Sequence, residues 1–185
     1  MVSLVERARG MAAACLAEDL PRRWTHVQAV GAKAEQVAAS FGDPDRDVLA
    51  AAAWLHDVGY APSLAATGFH PLDGARWLRS EGFDDRVAAL VAHHSCALIE
   101  ADERGLAGDL QVEFNREDSP TADALWYCDM TTGPDGQDLD VVVRLAEIRS
   151  RYGPDHIVTR FIARAGDQIT AAVRRAEARL ATTAR

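Results

Sequence analysis

Apolar residues recur along this chain at intervals of three and four, the period of a helix face, and no stretch alternates as a half-buried strand does. Leu4, Val5, Ala8, Met11, Ala12 and Cys15 form the first such stripe, and Val27, Val30, Ala34, Val37, Ala38 and Phe41 the second. Asp43-Pro44 has the form of a cap followed by a proline in the first helical turn, opening a helix with Val48, Leu49, Ala52, Ala53 and His56 on one face. Gly59, Pro62 and Gly68 mark a loop. His70-Pro71 starts a helix carrying Leu72, Ala75 and Leu78, which Gly82 stops, and Phe83, Val87, Leu90, Val91 and His94 trace the next. Residues 99–118 are the least regular stretch and read as a mobile loop. Ser119-Pro120 then opens a helix with Ala122, Leu125, Trp126 and Asp129 aligned. After a loop over 131–137, Leu139, Val142, Val143 and Ala146 give a helix ended by Gly153-Pro154. A last helix runs from Ile157 to Leu180. The pattern predicts an all-α, bundle-like fold. It is read as a single domain over 1–185, with a core over about 20–136 and the helices of 138–182 packed on it.

A chain of 185 residues, 48% of them hydrophobic, can bury a substantial core. The formal net charge of −8 disfavours a polymeric nucleic-acid partner, which calls for clustered positive charge, but leaves room for a single nucleotide met by a metal and one or two arginines. Lys33 is the only lysine. Cys15, Cys96 and Cys128 are odd in number and far apart, so free thiols in the core are expected rather than disulfides. The first twenty residues lack the apolar run of a signal peptide, and no segment reaches the roughly 20 apolar residues of a membrane span. A cytoplasmic protein without a membrane partner is expected.

Several histidines and aspartates interrupt the apolar faces. His26 lies four residues before Val30, His56 follows Ala52 and Ala53, His94 follows Leu90 and Val91, and Asp129 follows Leu125 and Trp126. Residues three and four apart share a face, so each of these polar groups occupies a core position. A buried, unpartnered carboxylate is costly, and one shared cation can serve all of them. His26, His56, Asp57 and Asp129 are therefore the leading metal ligands, with His70, His93 and His94 as further candidates. Imidazole mixed with carboxylate suits Mn, Fe, Co or Ni, as one or two divalent ions, better than Mg. His156, beside Pro154, is expected to cap a helix or face solvent.

In that order, His26, His56-Asp57 and Asp129 resemble the H…HD…D pattern of the HD-domain metal-dependent phosphohydrolases, over most of residues 20–136. Arg23-Trp24-Thr25-His26, His70-Pro71-Leu72-Asp73-Gly74-Ala75, Val91-Ala92-His93-His94 and Tyr127-Cys128-Asp129 resemble segments of the bacterial HD hydrolases that cleave diadenosine tetraphosphate symmetrically. The resemblance implies an all-α, HD-domain-like helical bundle with one metal on His26, His56, Asp57 and Asp129. In binuclear members Asp57 would bridge to a second metal on His70 and His93, with His94 a further ligand or a group behind one. The sequence departs from many members in placing Tyr60 where a lysine follows the doublet's x-Gly. It also lacks the Gly-Tyr-Pro of cyclic-dinucleotide phosphodiesterases and the Glu-Asp pair of alarmone hydrolases.

The reaction implied is hydrolysis of a phosphomonoester or phosphoanhydride in a small phosphorylated molecule, expected to be a nucleotide. Asp57 would act as ligand and help hold the attacking water, and Arg23 would neutralise phosphoryl charge, with Arg22 and Arg116 weaker candidates for the same work. Two other readings stay open. One is a mixed-valent di-iron oxygenase, which some HD-domain proteins with six similar ligands are; the other is a metal- or ligand-binding module without catalysis.

Overall fold

The computed structural model describes residues 2–183, and among them the only regular elements are helices. They are α1 (Leu4–Leu16), α2 (Pro21–Ala38), α3 (Asp45–Leu55), α4 (His70–Ser80), α5 (Asp85–His93), α6 (Ala97–Glu103), α7 (Ala107–Glu113), α8 (Pro120–Met130), α9 (Val141–Arg151) and α10 (Ile157–Thr183). Single 3-10 turns follow α3 and α5, at Val58–Tyr60 and His94–Cys96. The all-α expectation holds.

The centre is α3. Every residue from Val48 to Leu55 is buried, the signature of a helix wrapped on all sides rather than amphipathic. Its neighbours are α1, α2, α5 and α8. From α1 come Ala8, Ala12 and Leu16, and from α2 come Val27, Val30, Ala34 and Val37, all small or medium-sized side chains that allow close approach. Gly31 is part of that closeness, because a Cβ there would lie 2.5 Å from the Trp54 ring, whose Nε1 donates to Glu35 at 2.8 Å. α10, 27 residues and so about 40 Å long, runs across α8 and α9 and buries Phe161, Ile162, Ala165, Ile169 and Val173. No described helix is long and apolar enough to cross a membrane.

Three expectations are corrected. Residues 99–118 are not an open loop: α6 and α7 occupy most of them. The charge density that suggested disorder is instead spent in pairs, Glu100 with Arg104 at 2.6 Å, Glu103 with Arg160 at 3.0 Å and Glu113 with the Nε of Arg76 at 2.8 Å, while Ala101, Leu110 and Phe114 point inward. Pro44 precedes the first turn of α3 as its cap, so the helix starts at Asp45 and the Asp43 carboxylate does not serve as its cap. In α9 the buried face is Val141, Arg144 and Leu145, whereas Val142 and Val143 are more than half exposed. Three consecutive valines carry no phase, and the buried arginine hid the true one.

Candidate metal centre

Four of the histidines and two of the aspartates singled out above meet between α2, α3, α4, α8 and the α5–α6 junction, in two groups. His26, His56 and Asp129 bring one donor atom each within 4.8 Å of one another, and so do Asp57, His70 and His94. All are buried except His70, which is partly so. Asp57 joins the groups. Its Oδ2 lies 3.5 Å from His56 Nε2 and 3.9 Å from His26 Nε2, and its Oδ1 lies 3.3 Å from His70 Nε2 and 4.0 Å from His94 Nε2. Asp129 Oδ1 is 3.2 Å from His26 Nε2 and 3.7 Å from His56 Nε2.

The backbone sets which nitrogen each ring presents. Nδ1 of His26 donates to the carbonyl of Gly133 at 3.1 Å, Nδ1 of His56 to Ala53 at 2.8 Å and Nδ1 of His94 to Val91 at 2.6 Å. With the proton held on Nδ1, each Nε2 keeps a lone pair aimed at the centre, the arrangement that orients metal-ligating histidines. The Nε2 of His56 is fully enclosed and has no hydrogen-bond partner among the described residues, and Nε2 of His70 faces Nε2 of His94 at 3.3 Å. Acceptor lone pairs enclosed together and turned on one another, beside two carboxylates, fit a divalent transition metal.

Protonation agrees with that fit. Burial lowers the His56 pKa to about 4, against the pull of Asp57 and Asp129. Burial likewise lowers that of His70, although its contact with Asp57 works the other way. For Asp57 burial favours the neutral acid, but His56, Arg23 and His70 outweigh it and hold the carboxyl well below its usual range. Asp129 is lowered as well, with His26 and His56 overcoming burial. Neutral imidazoles facing ionised carboxylates are the states that ligate a cation.

Local packing brings His70 to the centre. The Asp73 carboxylate, in the first turn of α4, accepts from the backbone N–H groups of Ala66, Thr67 and Gly68 at 3.0–3.1 Å and from the Thr67 hydroxyl at 2.8 Å, which folds the preceding loop onto the helix start. Gly59, two residues after Asp57, lies flat against the carbonyl of His70 and the N–H of Gly74. Tyr60 stands where the resemblance expects lysine. It stacks on His70 at 3.9 Å and also has the Arg23 guanidinium 4.0 Å from its ring centre, while Arg23 Nη1 donates to Asp57 Oδ2 at 2.7 Å.

His93 does not join either group. α5 ends at His93, and its Nε2 donates to the carbonyl of Phe114 at 2.8 Å, away from the donors, so the adjacent His94 takes the place expected of it. The reason is the turn between α5 and α6, where Ser95 and Cys96 adopt left-handed backbone conformations (φ 47° and 66°) that are uncommon outside glycine. The same turn delivers a residue that the sequence reading missed: Ser95 Oγ donates to Asp129 Oδ2 at 2.5 Å and leaves Oδ1 for His26 and His56. A hydroxyl directly after a candidate ligand was the available signal. Arg116 pairs with Asp118 beside a cavity away from these donors, Arg22 pairs with Asp135 at 2.8 Å, and His156 accepts from Val158 N–H at the start of α10. Cys15, Cys96 and Cys128 are free and at least partly buried.

The geometry makes the two groups separable. His70→Ala removes a donor only from the second, so the protein is expected to lose one metal equivalent and keep the other. Elemental analysis after gel filtration checks this, and an unchanged stoichiometry in the variant would contradict it.

Among curated proteins, the chain is similar to a tRNA (cytidine(56)-2'-O)-methyltransferase from Thermoplasma volcanium, with 35% identity over 102 residues. The match covers 54% of this chain but only 29% of that relative's length. No solved structure matches the chain. The family model for the HD domain matches residues 23–147, a span that includes Arg23 and all six converging donors. The chain belongs to the HD domain family.

Proposed function

We propose that this protein is a metal-dependent phosphohydrolase that releases phosphate or a nucleotide from a small phosphorylated substrate, itself a nucleotide. The observation that carries this reading is Asp57, with one oxygen toward each donor group and Arg23 hydrogen-bonded to it at 2.7 Å. His26, His56 and Asp129 would hold one ion and His70 and His94 a second, with Asp57 between them. When bound, such ions polarise a phosphoryl oxygen and lower the pKa of the attacking water. Arg23 is fixed by Tyr60 and Asp57 at the rim, where its guanidinium can meet two phosphate oxygens. Asp57, held ionised, can accept a hydrogen bond from the attacking water and orient it.

The cavity beside the donors supports a nucleotide. It measures about 250 Å³ and is lined by Asp57, His70 and His94 together with Ile148, Phe161 and Ile162. Tyr152 and His156, stacked at 4.4 Å, also line it. A lining that mixes ionisable groups with apolar and aromatic side chains suits a phosphate attached to a flat base.

Activity should require the metal, disappear on chelation and return with Mn²⁺, Fe²⁺ or Co²⁺. Arg23→Ala should slow turnover on the order of tenfold or more, equivalent to roughly 1.4 kcal/mol of transition-state stabilisation. The assay measures phosphate and nucleotide release across nucleoside mono-, di- and triphosphates, dinucleoside polyphosphates and sugar phosphates, with and without oxygen. A second reading, a di-iron oxygenase, is favoured by the layout of four histidines and two aspartates in two groups sharing Asp57. Turnover that requires O₂ and no phosphoester would establish it in place of the first.

A further inference from the structure

Two cavities flank the metal donors. The one of about 250 Å³ touches Asp57, His70, His94 and Asp129; the other, of about 320 Å³, touches Arg22 and His26. The residues common to both are Arg23, Arg144 and Arg151. The divide between the cavities is therefore built from arginine.

Arg144 is the unusual member. It projects from the buried face of α9, is 5% exposed, and its Nε is enclosed with no acceptor among the described residues. A guanidinium does not shed its proton, so Arg144 stays charged although it is buried and only part of its donor set is answered. Its Nη1 does have a partner, Glu147 Oε2 at 2.5 Å. That carboxylate is shared, since Oε1 of Glu147 also meets Nε of Arg151 at 2.8 Å. Two cations thus lean on one anion, leaving a net positive charge at the edge of both cavities.

We propose that Arg144 and Arg151 form an anion subsite for the phosphoryl group next to the one held at the metal donors, so that the substrate is a phosphoanhydride rather than a monoester. This rests on the phosphohydrolase reading for the identity of the bound group. Arg144, which lines both cavities, offers the planar guanidinium fork that lysine cannot reproduce, and Arg151 adds charge from the more exposed side. Glu147 pairs with both side chains. The ordinary alternative is that Arg144 only ties α9 to itself through an i,i+3 pair with Glu147.

The test is calorimetric titration of the metal-loaded protein with orthophosphate and with methylenediphosphonate, whose P–C–P bridge resists phosphoanhydride hydrolysis. Wild type should bind the diphosphonate at least about tenfold more tightly than orthophosphate. Arg144→Lys and Arg151→Ala should each reduce that preference several-fold, with orthophosphate affinity changed less than threefold. Arg144→Met should abolish the preference, and if it fails to fold, the other two variants still decide the matter. No diphosphonate preference in wild type, or an unchanged preference in Arg144→Lys and Arg151→Ala, overturns the subsite. A lower melting temperature with an intact preference assigns Arg144 to the structure of α9 alone. Because the readout is binding, a protein that releases no phosphate in the activity panel but shows the arginine-dependent preference would refute the hydrolase reading and leave the subsite standing.

Discussion

Asp57→Ala is expected to leave the protein without metal and to reduce turnover on the order of a thousandfold, about 4 kcal/mol. Asp57 is the one residue whose two oxygens serve both donor groups. Its loss leaves the imidazoles facing a buried space with only the Asp129 carboxylate to offset a dication. It also strips Arg23 of the acceptor that fixes it. His56→Ala should behave similarly for the first ion, since His56 is fully enclosed and no neighbouring side chain can take over its Nε2. Inductively coupled plasma analysis of both variants, alongside phosphate release, measures the effect. Metal content equal to wild type in Asp57→Ala would remove the centre as described.

The second large effect concerns a residue that binds nothing. A Cβ on Gly59 would stand 2.1 Å from the carbonyl oxygen of His70 and 2.6 Å from the Gly74 nitrogen, and both obstacles are backbone. Neither can swing aside as a side-chain tip would. Gly59→Ala must therefore push the start of α4 away from the turn after Asp57, drawing His70 and its stacking partner Tyr60 with it. We expect a loss of about 3 kcal/mol or more in urea unfolding, together with loss of the second metal equivalent. Gly10→Ala is the control: it lies in α1 with nothing within 4 Å of the added Cβ, and should be neutral or slightly stabilising. A Gly59→Ala protein within about half a kcal/mol of wild type would show that the packing of this turn on α4 is loose.

The helical periodicity exposed much of the fold because most helices here have one apolar side, and the ordered H…HD…D set exposed four of the donors. What escaped has specific causes. In α9 the inward position after Val141 is an arginine, so hydrophobicity pointed to the wrong valines. Of the pair His93-His94, spacing from Leu90 and Val91 marked His94, but the choice depends on a helix ending one residue earlier and on two left-handed residues after it. No composition rule announces that turn. Ser95 and the carbonyls of Ala53, Val91 and Gly133 act through geometry alone, and any sequence supplies carbonyls. The helices of α6 and α7 were hidden because their charges are answered by arginines far away in the chain, Arg76 from α4 and Arg160 from α10.

The two donor groups also differ in how far apart their members lie along the chain. Asp57, His70 and His94 fall within residues 57–94, whereas His26 and Asp129 are 103 residues apart. Closing the longer loop costs more chain entropy, and nothing repays it until α8 has docked on α2 and α3. The more local group can therefore assemble within a partly folded chain, while the first group exists only once the bundle has closed. A protein caught midway through folding would thus offer a cation the local group of donors before the long-range one, and the two stand together only in the finished fold.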